Sequence, residues 1–106
     1  MIPLEYWLVL SSLMLAIGAY GVLSRKNAIV VLMSIEIMLN AANINFVAFS
    51  TYYPIVHTGI NANGQVFALF SIAIAAAEVA VGLAILLTVY RRYRTIEVDK
   101  INILRW

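Results

Sequence analysis

The chain has 106 residues, of which 64% fall in the hydrophobic set and only 11% are charged. With a mean hydropathy of +0.95 it lies far from the roughly 25% charged residues of an ordinary soluble domain, which excludes a water-soluble core. Cysteine is absent, excluding disulfides and thiolate metal sites. The single histidine, His57, leaves no histidine-based metal or haem centre, and no phosphate loop or nucleophile elbow occurs.

The chain therefore reads as an all-α integral membrane protein. A span takes about 20 mostly apolar residues, so three spans fit, expected at about 4–23, 28–50 and 65–90 in one unit of residues 1–106. The net charge is +2, but Arg25, Lys26, Arg91, Arg92 and Arg94 sit directly beside hydrophobic segments. That arrangement favours a topology signal, and no nucleic-acid partner is expected.

Residues 4–23 carry no charge after Glu5 and open with Tyr6 and Trp7, an aromatic pair suited to a membrane interface. A signal peptide would want a cationic leader, whereas this segment begins Met1-Ile2-Pro3-Leu4-Glu5 and is read as a retained helix, with Pro3 tolerable near its first turn. Gly18, Ala19 and Gly21 are small and would let a neighbouring helix approach closely. Ser24, Arg25, Lys26 and Asn27 form the first connection, and its two cations orient the chain.

In residues 28–50, counting about 100° per residue, Glu36, Asn40 and Asn43 share one face and Asn45 points to the other side. A polar stripe inside a bilayer helix faces protein or water. For the asparagines, interhelical hydrogen bonding and function both stay open. For Glu36 a packing contact is the weaker reading, because an amide would serve without the roughly 2.5–3.5 kcal/mol that an ionisable group costs at the bilayer centre.

Residues 51–64 supply Tyr52, Tyr53, Pro54, His57, Gly59, Asn61, Asn63 and Gly64, the chemistry of a second connection, and contain no charged residue. With all five flanking cations at the opposite helix ends, the positive-inside rule puts the N-terminus outside and the C-terminus in the cytoplasm. In residues 65–90, Ala73, Ala77, Ala80 and Ala84 share a face expected to pack tightly. Glu78 lies on roughly the opposite side with Ser71, Ala75, Gly82 and Ile85. The tail 91–106 is expected on the membrane surface or on a partner.

At 1.5 Å per residue Glu36 lies about 12 Å below the end of its helix and Glu78 about 18–20 Å below the end of its own. Both acids are thus near mid-membrane, at slightly different depths. Hydrolysis would need a cleft and further polar groups, and calcium or magnesium would need more oxygen ligands. Proton relay is the economical reading. Three helices cannot enclose such a path alone, so partner membrane subunits are implied.

The loop Ser24-Arg25-Lys26-Asn27, the run Leu32-Met33-Ser34-Ile35-Glu36-Ile37-Met38-Leu39-Asn40-Ala41-Ala42-Asn43, and the run Ala75-Ala76-Ala77-Glu78-Val79-Ala80-Val81-Gly82-Leu83-Ala84-Ile85 closely resemble the small K-type (4L-type) membrane subunit of complex I. That family includes respiratory NADH–quinone oxidoreductases, photosynthetic ferredoxin-driven complexes and archaeal coenzyme-linked enzymes. The resemblance implies a proton-translocating component of a redox-driven pump, with Glu36 and Glu78 as intramembrane relay acids and Arg25 and Lys26 as the basic cytoplasmic loop. Flavin, iron–sulfur clusters and quinone are then expected in other subunits, with no cofactor in this chain. Implied partners are antiporter-like and J-type/A-type membrane subunits and the lipid bilayer. The membrane is then the cell (cytoplasmic) membrane, or the thylakoid membrane in a photosynthetic source. The family's loop often carries two arginines; Lys26 here lacks a bidentate guanidinium.

Three other classes compete. The small C-type subunit of multisubunit sodium/proton antiporters is expected to lack the Ser34-Ile35-Glu36 pattern. A small multidrug exporter would need four spans and an acid in the first. In a purely structural membrane subunit both acids would be satisfied contacts.

Overall fold

The computed structural model describes residues 2–52 and 63–101. Three helices follow one another, α1 (Leu4–Ser24), α2 (Ala28–Tyr52) and α3 (Asn63–Tyr93), before a 3-10 turn at Val98–Lys100. All three are long and apolar enough to cross a membrane. The expected second connection, with Tyr53, Pro54, His57, Gly59 and Asn61, lies outside the described residues, as do residues 102–106.

Local chemistry sets the helix ends. The Pro3 carbonyl accepts the N–H of Tyr6 at 3.1 Å, and the N–H of Arg25 donates to the Gly21 carbonyl at 3.2 Å, closing α1. Asn27 caps α2: its Oδ1 accepts the N–H groups of Ile29 (2.9 Å) and Val30 (3.4 Å), donors that a helix start otherwise leaves unpaired. Arg91 and Arg92 occupy the last turn of α3, where cations complement the helix dipole. Arg94 then takes a left-handed φ of 58°, and its N–H donates to the Tyr90 carbonyl at 2.7 Å.

Both outer helices pack on α2, and they do so through small residues. The buried positions include Ser11, Ala28, Ser34, Ala41, Ala48, Ala68 and Ala75, and no large side chain is fully buried among the described residues. Membrane helices pack this way because lipid tails are as apolar as leucine, leaving close backbone approach and dispersion as the main attraction. Gly18 and Gly21 lie against Ser34 and Met38 of α2, as the small-residue pattern of the first segment predicts.

The third helix departs from the expectation. Ala73, Ala77, Ala80 and Ala84 are exposed, while Ala68 and Ala75 are buried and Gly82 meets Leu32. The tight face of α3 is therefore the one grouped with Glu78. Both stripes are small, and the sequence pattern alone does not choose between them. The seam is close at both ends, where Gly82 meets the Leu32 methyls and Gly64 meets the Phe46 carbonyl and Ser50. Phe67 lies beside Phe46 with ring centroids 6.5 Å apart.

The described part of the tail also pairs with its own chain. The Ala28 N–H donates to the Ile96 carbonyl at 2.8 Å and the Val98 N–H to the Lys26 carbonyl at 2.9 Å, and Asn27 and Glu97 form an antiparallel bridge.

A methyl group at Gly18 would fall on the Met38 side chain and within 2.8 Å of the Ser34 carbonyl, whereas one at Gly82 would meet only Leu32 methyls at 3.4 and 3.5 Å. Gly18→Ala is thus expected to destabilise the chain by about 1–3 kcal/mol, and Gly82→Ala to stay within about 0.5 kcal/mol of the parent. Thermal melting of the assembled complex in detergent checks the contrast; equal effects would reject this account of the α1–α2 contact.

Candidate functional site

The site is built on the α2–α3 seam. Leu32 faces Gly82. Four residues onward along α2 and four back along antiparallel α3 stand Glu36 and Glu78, so equal steps of 1.5 Å bring the two acids to about the same level. Because α3 runs on past the start of α2, the two acids stand closer in height than their distances from their own helix ends suggest.

The two acids differ in surroundings. Glu78 is exposed on α3, one turn from the contact residues Ala75 and Gly82. Glu36 is half-buried, and its Oε1 is shut off with no hydrogen-bond partner among the described residues. Among those residues neither acid is in an ion pair; the pairs present are Lys26 with Asp99 and Lys100 with Glu97.

The polar stripe continues from Glu36. Asn43 is buried, and its Nδ2 donates to Oδ1 of exposed Asn40 at 3.3 Å. Its own Oδ1 is shut off and lacks a partner among the described residues. Asn45, on the far side of α2, makes the interhelical bond instead, its Oδ1 accepting the Ser11 hydroxyl at 2.7 Å. One asparagine thus joins helices, while the other two line a groove of about 580 Å³ with Trp7, Val47, Thr51, Ala68 and Ile72 among its walls. The groove begins one helical turn beyond Glu36 and runs to Tyr52 at the end of α2.

At the opposite end Arg25 and Lys26 are both exposed. Lys26 Nζ lies 3.2 Å from Asp99 Oδ2. The alternation of Thr95 and Glu97 with Ile96 is a strand-like period of two that reaches the bridge at Glu97, and Asp99 stands in the 3-10 turn beyond it. Among the described residues no group of three His, Cys, Asp or Glu side chains is placed to hold a metal ion.

Fold and site define a class: a membrane chain of three helices with a carboxylic acid inside each of two adjacent apolar spans. A family model described as NADH-ubiquinone/plastoquinone oxidoreductase chain 4L matches residues 6–106. The NAD(P)H-quinone oxidoreductase subunit 4L of Synechococcus sp. (strain JA-3-3Ab) is 51% identical over 106 residues, 100% of either chain. The subunit 4L of the organellar chromatophore of Paulinella chromatophora is 51% identical, covering 99% of this chain and 98% of its own. The NADH-quinone oxidoreductase subunit K of Geobacillus sp. (strain WCH70) is 52% identical, covering 95% and 93%. The chain belongs to the chain 4L family, and it is an integral membrane protein.

The connection before α2 yields a test of what holds the basic loop. Asn27→Ala removes the cap on Ile29 and Val30 and is expected to lower stability by about 1 kcal/mol. Asp99→Asn breaks only an exposed ion pair, a kind that contributes roughly 0–1 kcal/mol, and is expected to act less. The two variants compared by thermal melting at low and high salt check this, and only the Asp99 effect should shrink with salt.

Proposed function

We propose that this chain is the proton-translocating membrane-arm component of a complex I-type redox-driven pump, and that Glu36 and Glu78 relay protons between neighbouring subunits. The observation that carries the reading is one acid in each of two adjacent, otherwise apolar spans, which the Leu32–Gly82 contact supports at similar heights. An ionisable group there is expensive, and two at similar heights suit stepwise transfer across the chain. Glu36, turned partly inward, takes a proton on its carboxylate and releases it when a neighbouring charge changes. Glu78, exposed on α3, faces outward and exchanges with an adjoining subunit.

Redox chemistry belongs elsewhere in the assembly. A chain without cysteine supplies no thiolate for an iron–sulfur cluster, and flavin and quinone are likewise assigned to other subunits. Antiporter-like and J-type/A-type membrane subunits cover the exposed faces. Arg25 and Lys26 stand at the same end as Arg91 and Arg92, tied through the pairing of residues 26–28 with 96–98. That clustering supports a cytoplasmic loop and C-terminus, with the N-terminus outside. The membrane is the cytoplasmic membrane, or the thylakoid membrane of a photosynthetic cell.

Glu36→Gln keeps size and polarity but carries no exchangeable acid proton. The complex is expected to assemble while proton pumping and coupled electron transfer fall about tenfold or more, at least ~1.4 kcal/mol on the transfer barrier. Glu78→Gln is expected to act in the same direction and more mildly. The double variant should lose less than the two separate effects combined, because both acids serve one path. Pumping by vesicles, with assembly measured on the same preparation, checks this; normal pumping in an assembled Glu36→Gln complex would reduce both acids to structural contacts.

A further inference from the structure

We infer that the end of the bundle where α2 begins and α3 finishes binds one anionic phospholipid. One acyl chain lies in a groove between α2, α3 and the returning tail, and the phosphate rests on the arginines beyond it. The site is independent of the relay proposed for Glu36 and Glu78. Six of the chain's seven cations, Arg25, Lys26, Arg91, Arg92, Arg94 and Lys100, gather at this end with only two carboxylates, Glu97 and Asp99. Asp99 is spent on Lys26 and Glu97 on Lys100, at 3.2 and 3.3 Å. Arg25, Arg91, Arg92 and Arg94 are exposed and stand in no ion pair among the described residues; Arg92 lies over the Tyr93 ring at 5.7 Å. Orientation by the positive-inside rule needs cations but no particular surface beneath them. Here there is such a surface.

It is a groove of about 380 Å³ lined by Ile29, Leu83, Leu86, Leu87, Tyr90 and Ile96, with the Tyr90 hydroxyl as its one polar side-chain group. The tail supplies a wall, because the Ala28 N–H holds the Ile96 carbonyl at 2.8 Å. Leu83, Leu87 and Arg91 follow at four-residue steps along one row of α3, so Arg91 stands about 6 Å beyond Leu87 toward the helix end. Arg94 comes between two groove residues, Tyr90 and Ile96, where the chain reverses. The cations therefore stand beyond the groove and not within it. That is the spacing of a phospholipid, whose glycerol separates the phosphate from the chains. A free anion would use the arginines and leave the groove unfilled, and a neutral lipid would fill the groove and leave the arginines unmet. Guanidinium groups bind phosphate through paired hydrogen bonds, and basic pockets between membrane helices take anionic headgroups.

Photolabelling of the assembled complex tests this, in phosphatidylcholine vesicles doped with phosphatidylglycerol that carries a diazirine on one acyl chain. Peptide mapping is expected to find label on residues 83–90. Excess unlabelled phosphatidylglycerol should lower that label several-fold, and the same amount of extra phosphatidylcholine should not. Arg91→Gln combined with Arg94→Gln removes partners of the headgroup and is expected to lower labelling several-fold. Leu87→Trp, which fills the groove and leaves the cations in place, should do the same. If a variant does not assemble, the competition on the parent complex decides alone. Equal competition by the two lipids reduces the site to ordinary lipid contact and overturns the inference. Absence of label from residues 83–90 also overturns it, since a neighbouring subunit or another segment of this chain then holds the groove. Inorganic phosphate should displace no more label than chloride at equal ionic strength; displacement by phosphate alone assigns the arginines to a free anion and rejects the lipid.

Discussion

The fold depends on α1 and α3 coming close to α2 where no bulky side chain intervenes. At Gly18 and Gly21 the backbone of α1 lies against Ser34 and Met38, at Gly82 and Gly64 the backbone of α3 lies against Leu32 and Phe46, and Ala68 and Ala75 between them are buried. In water such a core of alanine, glycine and serine would bury too little apolar surface to hold. In a bilayer the large residues gain nothing by leaving lipid, so they stay outside, and the small ones decide where helices touch. The contact with α3 also sets the register that brings Glu36 and Glu78 to similar heights.

The three helices were legible because apolar runs of spanning length leave few other structures available. The end of the α1–α2 contact at Gly18 to Gly21 was legible because small residues cluster there, while its other end, where Ser11 meets Asn45, carried no such mark. The α2–α3 contact was not legible. Alanines stand on two faces of α3, and which of them meets α2 is set by both helices, which a reading of α3 alone does not include. The height difference between the acids is smaller than a count from the helix ends suggests, for a related reason. Distances counted from each helix end assume ends at a common height, and α3 overruns.

For the site, periodicity grouped Glu36, Asn40 and Asn43 and set Asn45 apart, and the helix keeps that division. Periodicity did not reveal that Asn43 spends its donor on Asn40 and keeps an unmet acceptor, a matter of rotamers and of neighbours brought in by α1 and α3. The division of labour follows from direction alone. Asn45 looks at α1 and finds Ser11; Asn43 looks into a groove whose other walls are apolar.

The returning tail acts as a gauge of length. Four residues back from Leu32 and four onward from Gly82 stand Ala28 and Leu86, so α3 overshoots the start of α2 by the stretch from Leu86 to Tyr93, about 10 Å at 1.5 Å per residue. From Tyr93 to Ile96, with the reversal at Arg94, three residue steps cover at most about 10 Å at 3.3 Å each. The return therefore ends where the Ala28 N–H waits. An extra residue in the overshoot would lengthen it by only 1.5 Å but rotate its end by about 100°, and one in the return would move Ile96 and Val98 off the Ala28 N–H and the Lys26 carbonyl that they pair with. The end of α3 is thus measured against the beginning of α2, and the height of Glu78 over Glu36 is fixed from both sides of the seam.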